Sequence, residues 1–179
     1  YIGELGWELY VPTEYMQYTY DLLKSEGKDF NLTDIGFMAI DSLRIEKSYK
    51  AWGKDITPDT NPLEAGLHFC INWKKRNFIG KDALIKISNR GIQKKLVSMY
   101  LDEPFSVFGG ETVWLGNEAV SQSTSGSFGY SVNKSIILAY LPLELLTNPD
   151  LEVECFGSRT KVSVIDRCAY DRKRKKLLC

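Results

Sequence analysis

The chain has 179 residues, 44% of them hydrophobic and 26% charged, with 23 basic side chains against 23 acidic ones and a formal net charge of zero. This is the composition of a folded globular protein of one large domain or two small ones, and it offers no excess of positive charge to recruit a nucleic acid. No apolar run approaches the roughly 20 residues that cross a bilayer, so no membrane span is expected.

The chain opens on "YIGELGWELYVP", without an initiating Met. Tyr1 already stands inside a strand-like segment, which is expected if these residues are cut from something longer. "WELYVP" alternates as a strand does, and Pro12 stops it. Thr13 then reads as the N-cap of a helix from Glu14 to about Ser25, with Met16, Tyr20 and Leu23 at buried spacing and Gly27 at its C-cap. A second helix is expected from about Asp34 to Lys47, burying Ile35, Met38, Ala39, Leu43 and Ile45 or their near neighbours. "WGKDITPDTNPLEAGL" is too rich in Pro, Gly and Asp to be regular throughout. "FCINW" reads as a strand and "GKDALIKI" as a short helix ending near Gly91.

From Gln93 the texture changes. "KKLVSMYLD", "TVWLGNEAV", "SIILAYLP", "LEVECFG" and "TKVSVID" are short, β-branched and aromatic. Turn residues, among them Gly116-Asn117 and Gly157-Ser158, separate them. That pattern predicts a small antiparallel barrel or sandwich, so the fold class is α+β, with a boundary near Ile92 dividing residues 1–92 from 93–179.

Few residues suggest chemistry on their own. Cys70, Cys155, Cys168 and Cys179 form no C-x-x-C pair and read as isolated, partly buried thiols. His68, the single histidine, sits in the apolar stretch "AGLHFCINW" and reads as structural. Asp41, Arg44, Glu46 and Lys47 crowd one helix, and their default role is surface ion pairing worth a few tenths of a kcal/mol per pair. "GSFGY" lacks the Lys and the helix of a phosphate loop and reads as a turn between strands. "DRKRKKLLC" reads as a solvated tail. Tyr1, Trp7, Trp52 and Trp73 could stack on a flat heterocycle, though packing is the commoner work of such rings.

Taken together and in order, "YIGELGWELYVP", "AIDSLRIEKSYKAWGKDITPDTNPLEAGLHF", "FIGKDAL" and "TSGSFGYSVNKSIILAYLP" resemble the C-terminal portion of the aminomethyltransferase superfamily. That superfamily holds the glycine-cleavage T-protein, the folate-binding half of the mitochondrial sarcosine and dimethylglycine dehydrogenases, and the regulatory subunits of pyruvate dehydrogenase phosphatase. The resemblance covers Tyr1 to about Asp166. It implies the C-terminal part of a folate-binding domain followed by an antiparallel β-barrel domain. "AIDSLRIEK", "WGKDITPD" and "PLEAGL" look most like the two dehydrogenases, whereas T-proteins usually carry an Arg-Asp pair where this chain has Ile40-Asp41.

What this implies is specific. The cofactor would be tetrahydrofolate, bound by Tyr1 packing on the ligand and Glu8 making paired contacts to the pterin ring, with Trp52 a further contact. Glu4 would serve the turn's own hydrogen bonding. A carboxylate can accept two parallel hydrogen bonds from the N–H groups of a 2-amino-4-oxo pterin. FAD would sit in an N-terminal domain preceding Tyr1 and oxidise a methylated glycine to an iminium. The folate half would then capture the carbon as 5,10-methylenetetrahydrofolate. The implied place is the mitochondrial matrix, and this piece alone would be inactive, with no catalytic residue of its own. The alternatives are a non-catalytic regulatory subunit of the phosphatase type and the glycine-cleavage aminomethyltransferase itself.

Overall fold

A computed structural model describes residues 1–178, so the Cys179 thiol lies outside the described residues. The C-terminal half is a closed barrel of six antiparallel strands: β1 (Lys94–Leu101), β2 (Thr112–Leu115), β3 (Glu118–Gly129), β4 (Lys134–Pro142), β5 (Leu151–Cys155) and β6 (Ser158–Ile165). Around the barrel the order is β1-β4-β3-β2-β5-β6. Closure removes the unpaired edges that strands of this kind would otherwise expose. Alternation decides the inside: Met99, Leu101, Val113, Ile137, Leu141 and Val153 are all buried in one cluster.

Strand β4 departs from alternation, with Ser135 to Ala139 all buried. Its outer face is covered as well as its inner one, because Ile136 and Leu138 pack with Ile45, Leu96 and Ile165 in a second cluster. Each such aliphatic side chain contributes about 1.5–3 kcal/mol of burial, so this second layer clamps the helical half onto the barrel.

Three helices precede the barrel: α1 (Met16–Glu26), α2 (Phe37–Glu46) and α3 (Lys81–Arg90). Helix α3 ends at Gly91, which takes φ +81, as expected for a glycine stop. Helix α2 is shorter than expected and unevenly buried. Ile35 and Met38 are 60% and 67% exposed, whereas Ser42, Arg44, Ile45 and Glu46 are buried where the helix meets β3 and β4. Helix α1 begins after a 3-10 turn, Thr13–Tyr15, in which the Tyr15 amide bonds the Pro12 carbonyl. The Thr13 side chain therefore does not serve as a cap. Met16, Tyr20 and Leu23 are 60%, 48% and 44% exposed, so the expected buried stripe is uncovered among the described residues.

Three more expectations change. "WELYVP" forms no strand, because among the described residues no neighbouring segment pairs its backbone, and Trp7 and Tyr10 stand 87% and 89% exposed. "FCINW" enters through a 3-10 turn, His68–Cys70, held by the Leu67 and His68 carbonyls; His68 is exposed rather than a packed core residue. "GSFG" is the end of β3, not a turn. A Cβ at Gly126 would lie 2.9 Å from the Val107 side chain and 3.0 Å from the Phe108 amide, so this glycine admits a close crossing of the 105–109 loop. The β5–β6 turn is centred on Phe156-Gly157, one residue earlier than expected.

Candidate functional site

The opening segment lies against the C-terminal one. The Leu5 amide donates to the Lys176 carbonyl at 3.0 Å, and the Tyr170 hydroxyl donates to Glu4 at 2.6 Å. Glu4 thus serves the C-terminal segment rather than its own turn. Gly3 adopts φ +83, and a Cβ there would fall 2.1 Å from Lys47 Cγ, so only glycine lets the backbone lie this close. Lys47 in turn donates to the Asp171 carbonyl at 3.0 Å. The basic end is therefore folded back as a strap over residues 1–6, and not simply a solvated tail.

Between this segment, α2 and the 51–54 turn lies a cavity of about 840 Å³. Tyr1, Glu8 and Trp52 all line it, as do Trp7, Ile40, Arg44 and Leu177. Tyr1 is held at both ends: its hydroxyl donates to the Lys50 carbonyl at 2.9 Å, and its ring stacks on Tyr49 with centroids 6.2 Å apart. Partial burial pushes the Tyr1 pKa up, against the pull of Arg44. Glu8 accepts one hydrogen bond, from the Tyr10 hydroxyl to Oε2 at 2.7 Å, which leaves Oε1 able to accept from a ligand. Trp7 and Trp52 are 87% and 73% exposed, so each offers a free ring face. A carboxylate flanked by aromatic faces can hold a flat heterocycle that carries N–H donors.

Below the cavity the charged cluster of α2 is interior, not surface. Arg44, 1% exposed, donates to Asp41 at 2.6 Å, to Asp55 at 2.7 Å, to Ser125 at 2.8 Å and to the Tyr49 carbonyl at 3.1 Å. Asp55 is fully buried and also accepts from the Ala51 amide and the Thr124 hydroxyl. Thr124 is the extra residue of a bulge in β3, where Ser123 faces Ala139 and Ser125 faces Leu138. The bulge turns Thr124 and Ser125 toward α2 and the 51–56 turn. The barrel thereby fixes the turn that carries Trp52. Burial works to raise the Asp41 pKa, but Arg44 and Lys54 outweigh it and hold the carboxyl below its ordinary range.

The sequence did not reveal the interior role of Arg44 and Asp41 on α2, or of Asp55 in the following turn, because charged side chains default to solvent. The available signal was Arg44 set between Leu43 and Ile45, with Asp55 in a turn eleven residues on. Ile40 lines the same cavity as Arg44, one helical turn before it on α2. Among the described residues no group of His, Cys, Asp and Glu could hold a metal ion, and no helix is long and apolar enough to cross a membrane.

Residues 1–75 match the GCVT N-terminal domain, and residues 94–171 match the glycine cleavage T-protein C-terminal barrel domain. The mitochondrial dimethylglycine dehydrogenase of Mus musculus is 38% identical over 168 residues, covering 92% of this chain and 19% of that protein. The mitochondrial sarcosine dehydrogenase of Mus musculus is 33% identical over 186 residues, covering 99% of this chain and 20% of that protein. The aminomethyltransferase of Symbiobacterium thermophilum is 36% identical over 172 residues, 95% of this chain and 46% of that protein. The chain therefore spans about a fifth of the two dehydrogenases and just under half of that aminomethyltransferase. The crystal structure of the glycine cleavage system aminomethyltransferase T from Bartonella henselae superposes with a TM-score of 0.76 at 24% identity, over 84% of this chain and 43% of that one. At that identity the likeness speaks for the fold.

Proposed function

Because the chain belongs to the glycine cleavage T-protein (aminomethyltransferase) family, we propose that its aromatic cavity is one wall of a tetrahydrofolate site. The whole protein would be a flavin-linked dehydrogenase of a methylated glycine, either sarcosine or dimethylglycine. The single observation that carries the folate reading is the convergence of Tyr1, Glu8 and Trp52 on one cavity, with one Glu8 oxygen free of donors among the described residues. Tetrahydrofolate, when bound, supplies the nitrogens that accept the one-carbon unit. Glu8 would orient it by accepting hydrogen bonds from the pterin edge, while Tyr1 and Trp52 cover its faces and exclude water. Arg44 and Asp55 would keep the Trp52 turn in place from beneath.

FAD does not fit these residues. A dinucleotide needs a glycine-rich loop between a strand and the helix it opens, and each of the three helices here follows a turn or loop rather than a strand. We therefore assign the oxidative step and its flavin to sequence beyond these 179 residues and the methylated glycine to a pocket shared with it; the mitochondrial dehydrogenases among the relatives support placing the protein in the mitochondrial matrix. The division near Ile92 is retained as our domain boundary. A second reading, aminomethyl transfer without a flavin, is favoured by the 36% identity to an aminomethyltransferase, and is opposed by Ile40.

The test is Glu8→Ala in the full protein. Tetrahydrofolate affinity should fall by at least about 1.5 kcal/mol, the scale of a hydrogen bond to a charged group. Unchanged affinity by calorimetry would remove Glu8 from the site. Turnover of sarcosine or dimethylglycine with flavin reduction would separate the dehydrogenase from the transferase.

A further inference from the structure

On the other side of Tyr1 from the aromatic cavity lies a second recess, of about 760 Å³. It adjoins a smaller one of about 250 Å³, with Ser48, Lys50 and Arg167 lining both. The charge here is one-sided. Lys47, Lys50, Arg167, Arg172 and Arg174 line the larger recess and Lys95 the smaller, whereas no Asp or Glu side chain lines either. In a chain with 23 bases and 23 acids, such segregation creates a local positive field.

The partners of these cations sort them further. Lys47 is taken up by Asp171, and Arg172 Nε donates to the Cys168 carbonyl at 3.0 Å. Lys50, Lys95, Arg167 and Arg174 have no ion pair among the described residues. Lys50 is the half-buried member. Burial lowers its pKa, Asp55 works the other way, and Lys95 lowers it further. A desolvated ammonium that faces a second cation is unfavourable until a negative group joins it. Arg167, exposed and at φ +74, brings a planar fork suited to carboxylate or phosphate.

We propose that this recess is an anion site for carboxylate or phosphate groups, with Lys50 and Arg167 as the two cationic residues common to both of its halves. Tyr1 lines the recess and the aromatic cavity alike. The anion is then either the charged end of a ligand seated in the cavity or a separate ion. The first source rests on the folate reading, while the site itself does not.

The experiment is calorimetry on the full protein at low ionic strength, where exposed charges are least screened. The probes are citrate, inorganic phosphate, tetrahydrofolate and the primary amide of tetrahydropteroate, which carries no carboxylate. Citrate or phosphate should bind, and Lys50→Gln or Arg167→Gln should each weaken it about tenfold, the loss of one charge-assisted contact. Lys134→Gln, at the exposed start of β4, should leave it unchanged. If tetrahydrofolate binds more tightly than the uncharged amide and the Lys50→Gln/Arg167→Gln pair abolishes the difference, the anion is the ligand's own end. If the two bind alike while citrate stays Lys50-dependent, the anion is separate. Should Lys50→Gln fail to fold, exposed Arg167 carries the same test alone. The proposal is overturned if neither citrate nor phosphate binds, or if their affinity ignores both substitutions. Glu8→Ala keeps the two readings apart, since loss of tetrahydrofolate with citrate binding intact would leave this site standing.

Discussion

Replacing Arg44 by Met tests whether the ion cluster under the cavity is interior. Met fills much of the same volume without charge, and four contacts disappear: those to Asp41, Asp55, Ser125 and the Tyr49 carbonyl. Asp55 is left fully buried with only neutral donors, the Ala51 amide and the Thr124 hydroxyl. Breaking a buried pair from one side costs about 3–5 kcal/mol, about a fifth or more of the roughly 5–15 kcal/mol stability of a typical domain. Asp41→Asn should cost about 1 kcal/mol or less, because that carboxylate is 18% exposed and its other partner Lys54 is 50% exposed. Combining Arg44→Met with Asp55→Asn should cost less than the sum of the two, since no lone charge then remains. Urea unfolding of each variant measures these losses. A loss under about 1 kcal/mol for Arg44→Met, or equal losses for Arg44→Met and Asp41→Asn, would refute the reasoning from burial.

Two further outcomes concern the strap over the opening segment. Gly3→Ala combines a strained positive φ with a clash against Lys47, and should lower stability by about 1–3 kcal/mol in thermal unfolding; a neutral result would mean that residues 1–6 do not pack on Lys47. The Tyr170 pKa is pushed up to about 12, first by its hydrogen bond to Glu4 and then by burial. Its folded pKa is raised, so the Tyr170–Glu4 contact is fully present below the ordinary tyrosine value of about 10 and is lost as pH rises through about 12. Absorbance titration should show a late-titrating component that Tyr170→Phe removes, and a Tyr170 titrating near 10 would contradict the contact.

How much was legible followed the range of the interactions. Five of the six barrel strands could be read nearly to their ends, because short β-branched runs and glycine turns are local signals, and Gly116 and Gly91 mark the places expected of them; β3 is legible only at its start, because its end at "GSFG" reads as a turn. The Tyr1, Glu8 and Trp52 grouping came from ordered motifs. Composition alone would have left Glu8 as an exposed carboxylate. What could not be read depends on contacts far apart in sequence. Arg44 and Ser125 are 81 residues apart, and Tyr170 and Glu4 are 166 apart. No local pattern tells a buried guanidinium from a surface one until β3 and the 51–56 turn are in place. "WELYVP" failed for the complementary reason: alternation describes a strand's faces but does not supply the neighbour that pairs with it.

The central claim is that Glu8 reads the pterin edge, and a double-mutant cycle tests it most directly. Affinities of the full protein and of its Glu8→Gln variant would be measured for tetrahydrofolate and for an analogue lacking the 2-amino group. If Glu8 accepts from that amino group, the two changes are coupled by at least about 1.5 kcal/mol, because either one alone already breaks the contact. Strictly additive losses would place the pterin elsewhere and contradict the account.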